Sequence, residues 1–166
     1  MTTTYDKSVI ADLLDAKLPW EQLKRMMSNF KDAERFDMYL AVLQERMPWD
    51  DKILLPLGPH LFIVQKADGS RVTKSTSGYE FGDYHENWKL KARIFVRNTE
   101  ATLHEIYPDM MHCTPGWMEL REYYDPLDGT LLEIEAVPPG YPIIHSFQPD
   151  LETFYEKWLG RPLGTA

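Results

Sequence analysis

The residues best equipped for chemistry sit together at MMHCT (Met110–Thr114), where thioether, imidazole and thiol side chains follow one another. Soft sulfur and nitrogen donors of this kind suit a transition metal, and a Cys beside a His suggests an activated thiolate. Geometry argues against both. A nucleophile and its base normally come from separate elements, so Cys113 reads as a buried loop cysteine. The histidines His60, His85, His104, His112 and His145 are scattered, with no H-x-x-x-H or H-x-H spacing. Only folding could assemble a ligand set from them, and each reads as a surface or a satisfied core residue. Asp50 and Asp51 form a turn after Pro48 and Trp49 more readily than an acid pair. Glu119, Glu122, Glu133 and Glu135 are spaced like the solvent face of a sheet. P-loop, GxGxxG, GxSxG and HExxH patterns are all missing. With no self-sufficient catalytic constellation, the sequence points to an accessory subunit.

The composition limits the partners. The 166 residues carry a net charge of −8 with no Lys/Arg cluster, which disfavours nucleic acid and anionic membrane surfaces. Hydrophobic residues make up 43% and aromatics 13%, enough for a folded core. No apolar run approaches the roughly 18 residues of a membrane span, and no signal-peptide layout opens the chain. The single Cys113 excludes an internal disulfide and fits a reducing compartment, so a cytoplasmic location is expected.

These side chains must be positioned by an α+β fold. Residues 1–47 read as an N-terminal helical segment. Its apolar sets are Val9, Ile10, Leu13 and Leu14; then Trp20, Leu23, Met26, Met27 and Phe30; then Phe36, Tyr39, Leu40, Leu43 and Met47 behind an Asp32 N-cap. Helices this short bury little alone, so their faces must meet the following sheet or another protein. Residues 48–166 read as a β-rich, ribbon-like unit with a C-terminal helix, and the two parts are compatible with one compact domain. Its strands are expected at His60–Gln65, Trp88–Val96, Gly116–Tyr124 and Thr130–Val137, with a short helix after Asn98 or Thr99. The proline-broken run Ile53–Pro59 cannot be an interior strand. Asp150 caps a last helix bearing Leu151, Phe154, Tyr155 and Trp158, which Gly160 stops.

Within this unit, Trp88, Leu90, Ala92, Ile94 and Val96 alternate with Lys89, Lys91, Arg93 and Phe95, the period of a half-buried strand. Before it lies a turn-rich loop, STSGYEFG (Ser75–Gly82), and a second, YDPLDGT (Tyr124–Thr130), separates two later strands. Two tight loops on adjacent hairpins are the skeleton of a zinc ribbon, in which each loop would offer a pair of cysteines. Here there are none.

Longer strings carry a resemblance. LQERM (Leu43–Met47), PWDDKILLPLG (Pro48–Gly58), LFIVQ (Leu61–Gln65), ENWKLKARIFVRNT (Glu86–Thr99), EIYPDMM (Glu105–Met111) and YPIIHSFQPDLETFYEKWLGRPL (Tyr141–Leu163) together resemble the γ subunit family of acetone carboxylase. The resemblance implies a small structural subunit in a hetero-oligomer with large hydantoinase/oxoprolinase-like α and β subunits. Those subunits would hold ATP and a divalent metal and join a phosphorylated ketone enol to bicarbonate as a 3-oxo acid. This chain would contribute no catalytic residue and bind no cofactor. The ketone, whether acetone, a larger alkyl ketone or an aryl ketone, would be chosen in the large subunits. A non-catalytic adaptor of another hydantoinase-like complex is the alternative.

The resemblance also implies cysteines in C-x-C-G-x-x-x-C and C-P-x-C-G arrangements. Aligned on Asn87, Trp88 and Gly129, those positions hold Ser75, Ser77, Gly82, Asp125 and Asp128. A metal-free hairpin pair is therefore expected, the alternative being a site rebuilt from Asp125, Asp128 and His85. Interface candidates are Trp49, Ile53, Leu54, Leu55, Leu57, Phe62, Trp117, Tyr141 and Trp158, each of which could instead serve the chain's own core.

Overall fold

A computed structural model describes residues 5–29, 33–108 and 110–164. The expectations for Phe30, Asp32 and Asp109 lie outside the described residues. Three helices come first, α1 (Lys7–Leu14), α2 (Trp20–Ser28) and α3 (Ala33–Glu45). A four-stranded antiparallel sheet follows, in the order β1 (Lys52–Pro56), β2 (Leu61–Gln65), β3 (Arg71–Ser75), β4 (Glu80–Asp83). A 3₁₀ turn (Trp88–Lys91) leads to β5 (Arg93–Arg97) and the short α4 (Glu100–His104). The chain then adds β6 (Glu119–Tyr124) and β7 (Leu131–Val137), which join β5 in a second, three-stranded antiparallel sheet. It closes with α5 (Leu151–Thr153), which runs into a π turn (Phe154–Trp158). The α+β class holds, with two sheets in place of the one small sheet expected.

The first sheet is covered on both faces, which is why all five residues of β2 are buried. Phe62 and Val64 face α3 and pack with Leu43 and Ile53. Ile63 faces the other way, into a cluster with Leu54, Tyr84, Leu151, Tyr155 and Leu163. The helical segment thus spends its α3 face on the sheet. In α2, by contrast, only Met26 is buried, while Trp20 and Met27 of the expected stripe point outward.

Edge strand β1 explains the proline-broken run. Pro56 closes it at a sheet edge, where a missing N–H costs nothing. Its outward backbone groups are met by side chains: Gln44 accepts from the Ile53 N–H at 2.9 Å, and the Tyr155 hydroxyl donates to the Leu54 carbonyl at 2.9 Å. Ile53, Leu54 and Phe62 are therefore core residues rather than interface anchors, and Leu55 and Leu57 pack half-buried against the same core.

The expected strand Trp88–Val96 is a strand only from Arg93. Asn87 accepts from the Lys89 N–H at 3.2 Å and winds the first half into the 3₁₀ turn, which buries Trp88 and Lys89 together. In a strand these neighbours would point to opposite faces. The acids of the second sheet also depart from expectation: Glu119 and Glu122 are buried, while Ile134 of β7 is half exposed. The strand expected from Gly116 begins only at Glu119.

Phe62 is fully enclosed between α3, β1 and Trp49. Phe62→Ala is expected to cost about 3–5 kcal/mol in a urea melt. A loss below about 1 kcal/mol would contradict the double-sided burial of β2.

Candidate functional site

The two hairpin turns meet. In the first, the Gly78 N–H closes on the Ser75 carbonyl at 3.0 Å, and Gly78 takes φ +95°, a conformation that favours glycine. In the second, Gly129 at φ +77° donates to the Asp125 carbonyl at 3.0 Å. Between them the Ser77 hydroxyl donates to Asp125 Oδ2 at 2.7 Å, with Ser75 Oγ 3.0 Å from Ser77 Oγ. Asp125 is fully buried, and its other oxygen accepts from the Leu127 N–H at 2.7 Å. Burial alone would raise the Asp125 pKa. Donation from Ser75, Ser77 and the Leu127 and Asp128 backbone outweighs it and holds the carboxyl below its ordinary value.

This donor set does not suit a tetrahedral Zn²⁺. Hydroxyl protons aim at Asp125 where thiolate lone pairs would have to converge. Asp128 turns to its own backbone, accepting from the Thr130 N–H at 2.9 Å. Gly82 offers no side chain and lies in β4 opposite Thr73. His85 pairs with Asp83 at 2.8 Å. Among the described residues, Asp125, Asp128 and His85 form no group of converging ligand atoms, so the rebuilt-site alternative is not supported.

Beneath the turns lies an aromatic cluster of Phe81, Trp88 and Tyr123 with Leu61, which spans both sheets. Beside it a lysine is wholly removed from water. Lys89 Nζ donates to Glu133 at 2.5 Å, Glu135 at 3.0 Å and Ser146 at 3.1 Å, and lies 5.1 Å from the centre of the Tyr123 ring. The Tyr123 hydroxyl donates to Glu135 as well. For Glu135, burial pushes the pKa up, but Tyr123 and Lys89 bring it below the ordinary value. Burial, then the Glu135 carboxylate, drives the Tyr123 phenol upward. On the opposite face Arg97 bridges Glu122 at 2.7 Å and Glu105 at 2.6 Å, and Tyr124 donates to Glu122 at 2.6 Å. Burial tends to raise the Glu122 pKa, and these donors bring it below its usual value. Sequence reasoning missed both layers, because the alternation of lysine and glutamate looked like a solvated surface.

The remaining interface candidates diverge. Trp117 and Trp158 are 80% and 78% exposed, and Tyr141 is exposed too. Trp49 is half-buried and donates its indole N–H to the Ser75 carbonyl at 3.1 Å, serving the first turn. Cys113 is half-buried, with Sγ 3.6 Å from the Met118 carbonyl. His112, its neighbour, comes against Glu100 and His104 of α4. The i, i+4 spacing of Glu100 and His104 was the legible half of that grouping.

The geometry defines a small α+β protein organised by two facing hairpin turns, with Asp125, Lys89 and Glu122 engaged in internal bonds. Comparison with known proteins identifies its kind. The model of the acetone carboxylase gamma subunit matches residues 47–159. The chain is also 51% identical over 160 residues, 96% of its length and 95% of the relative's, to the acetone carboxylase gamma subunit of Xanthobacter autotrophicus (strain ATCC BAA-1158 / Py2). The chain belongs to the acetone carboxylase gamma subunit family.

The depressed carboxyls make acid the informative variable. For Asp125, Glu122 and Glu135 the folded pKa lies below the unfolded value of about 4. Their contribution is present above that value and lost as pH falls through the folded values. Stability is expected to drop steeply below about pH 4. Asp125→Ala should cost about 1–3 kcal/mol at neutral pH and make the acid loss shallower. Glu135→Gln, which leaves Lys89 short of a charge partner, should cost about 3 kcal/mol. An unchanged acid profile in both variants would contradict this assignment.

Proposed function

We propose that this chain is the small, non-catalytic subunit of a biotin-independent, ATP-dependent ketone carboxylase. In this reading two large hydantoinase/oxoprolinase-like α and β subunits hold ATP and a divalent metal, phosphorylate the ketone enol and bicarbonate, and form the 3-oxo acid. The gamma chain supplies structure to the cytoplasmic assembly. The observation that carries the proposal is the identity with an acetone carboxylase gamma subunit along nearly the whole chain. The internal engagement of Asp125, Glu122, Glu135, Lys89 and Arg97 supports a structural role. The paired turns complete the reading as a ribbon without its metal, held by Ser75, Ser77, Asp125 and Asp128, with Gly82 at the remaining position.

The surface has the character of a docking face. Phe95, Glu122 and Ile134 stand side by side across the second sheet, with Phe95 and Ile134 exposed. Arg97 lies 4.8 Å from the centre of the Phe95 ring. Exposed aromatic side chains and arginine are enriched in interface cores. Trp117, Trp158 and the loop carrying Tyr141 add further anchors. A protein partner is the cover this reading assigns to these groups.

Co-expression tests the proposal. The three chains together are expected to consume ketone with ATP and bicarbonate, whereas the gamma chain alone gives no ketone-dependent ATP turnover. Trp117→Ala, at a position 80% exposed, should weaken co-purification with the large subunits by about 2 kcal/mol for an anchor, at unchanged melting temperature. Full assembly and turnover without the gamma chain, or ketone-dependent ATP turnover by the gamma chain alone, would overturn it.

A further inference from the structure

One group of ligand-bearing side chains lies away from the turns and serves no part of the architecture described above. Glu100 and His104 occupy one face of α4, and His112 reaches them from the segment between α4 and β6. One ligand atom from each lies within 4.8 Å of the others. Glu100 Oε1 is 3.5 Å from His112 Nε2 and 3.8 Å from His104 Nε2. Around a tetrahedral Zn²⁺ with bonds near 2.0–2.1 Å, neighbouring donors stand about 3.4 Å apart, so two of the three separations already approach that value.

The second observation concerns His112. Its side chain is only 6% exposed, and Nε2 is buried without a hydrogen-bond partner. The other ring nitrogen, Nδ1, lies 2.9 Å from the Cys113 carbonyl, which can only accept. Nδ1 therefore carries the proton, and in the neutral ring the Nε2 lone pair faces the carboxylate of Glu100. A buried lone pair turned toward an anion needs a positive charge between them, either a proton or a bound cation. An imidazole fixed by an Nδ1–H to carbonyl bond, with Nε2 presented, is also the arrangement of histidine metal ligands.

The supporting elements are held in place. Thr99 caps α4 through a reciprocal pair with Thr102, and Leu103 anchors the helix with no exposure. Arg97 Nη1 donates to the Thr102 carbonyl at 2.8 Å. Glu100 and His104 are exposed on the outer side, leaving room for water in the remaining coordination positions.

We propose that Glu100, His104 and His112 form a binding site for a divalent transition cation of the zinc class. Two imidazole nitrogens and one carboxylate are the donor set that borderline cations prefer, with a fourth position open to water. Bound there, the cation would pin the segment carrying His112 to α4 and could present its water to solvent or to a partner. The site is independent of the hairpin turns and of the carboxylase assignment.

The test uses the untagged full chain, stripped of metal and titrated with Zn²⁺ against a chromophoric chelator. One equivalent is expected to bind. Histidine ring ¹⁵N resonances should shift for His104 and His112 and stay in place for His60, His85 and His145. Glu100→Gln and His104→Gln, each checked for an unchanged circular dichroism spectrum and melting temperature, should weaken binding about tenfold or more. His85→Ala should leave it unchanged. Failure to bind Zn²⁺, binding that survives both Glu100→Gln and His104→Gln, or shifts confined to the other histidines would overturn the proposal. A His112–Glu100 ion pair with no metal affinity would then be the meaning of the geometry.

Discussion

The second sheet is built around a lysine ammonium that has no contact with water. Lys89 is fully buried, and removing such a charge from solvent costs several kcal/mol unless its bonds are replaced. Here the replacement is complete: two carboxylates, a hydroxyl and a tyrosine face. That requirement dictates the surroundings. It accounts for the acids on alternate positions of β7 and for Tyr123 standing beside Glu133 in the register of β6 and β7. It also explains the break in the preceding strand, since only a tight turn sends Trp88 and Lys89 inward together. A charge placed this way adds little net stability. Its effect is selective, because a slip of one residue in β7 would turn both acids away from the ammonium.

The first sheet follows a different logic, in which apolar layers cover both faces and polar side chains finish the edges. Gln44 and Tyr155 complete the backbone of β1, and Arg161 pairs with Asp37 across the space between α3 and the C-terminal segment. An edge strand treated in this way is closed to further pairing. The sheet edge is thus an unsuitable place for a partner. The outer face of the second sheet, where Phe95 and Ile134 stand in the open, is a better one.

Much of this was legible because it is local. Asp150 caps the last helix, Thr99 caps α4, and Gly160 at φ +68° ends the C-terminal turn, all as the residue types demand. The facing of the two turns followed from a family resemblance and not from periodicity. What could not be read was set by contacts far apart in sequence. An alternating K-L-K string has the same pattern whether its lysine meets water or Glu133 and Glu135, which lie 44 and 46 residues away. Leu54 read as an interface candidate because its cover, Leu151, Tyr155 and Leu163, comes from a segment about a hundred residues further along the chain. The grouping of His112 with Glu100 and His104 brings together residues eight and twelve apart, which no spacing rule anticipates.

The two levels of interaction at the turns differ in strength, and the difference says where the join between the sheets is made. The Ser75–Ser77–Asp125 chain and the two turn-capping bonds each contribute about 0.5–1.5 kcal/mol net, somewhat more where the carboxylate is ionised. Their sum is well short of the roughly 10–16 kcal/mol that a structural zinc supplies to a small zinc-finger fold. The balance must come from below the tips. Each of Phe81, Trp88 and Tyr123 is almost wholly buried. Burying 150–250 Å² of such a side chain is worth about 4–6 kcal/mol before entropy is subtracted. The edge-to-face contacts of Trp88, with Phe81 at 5.7 Å and Tyr123 at 5.9 Å, draw one ring from the first sheet and one from the second. Hydrogen bonds therefore set the register of the tips, while the aromatic layer supplies the adhesion. A chain organised in this way can exchange the polar residues at its turns so long as Trp88 stays between its two neighbours.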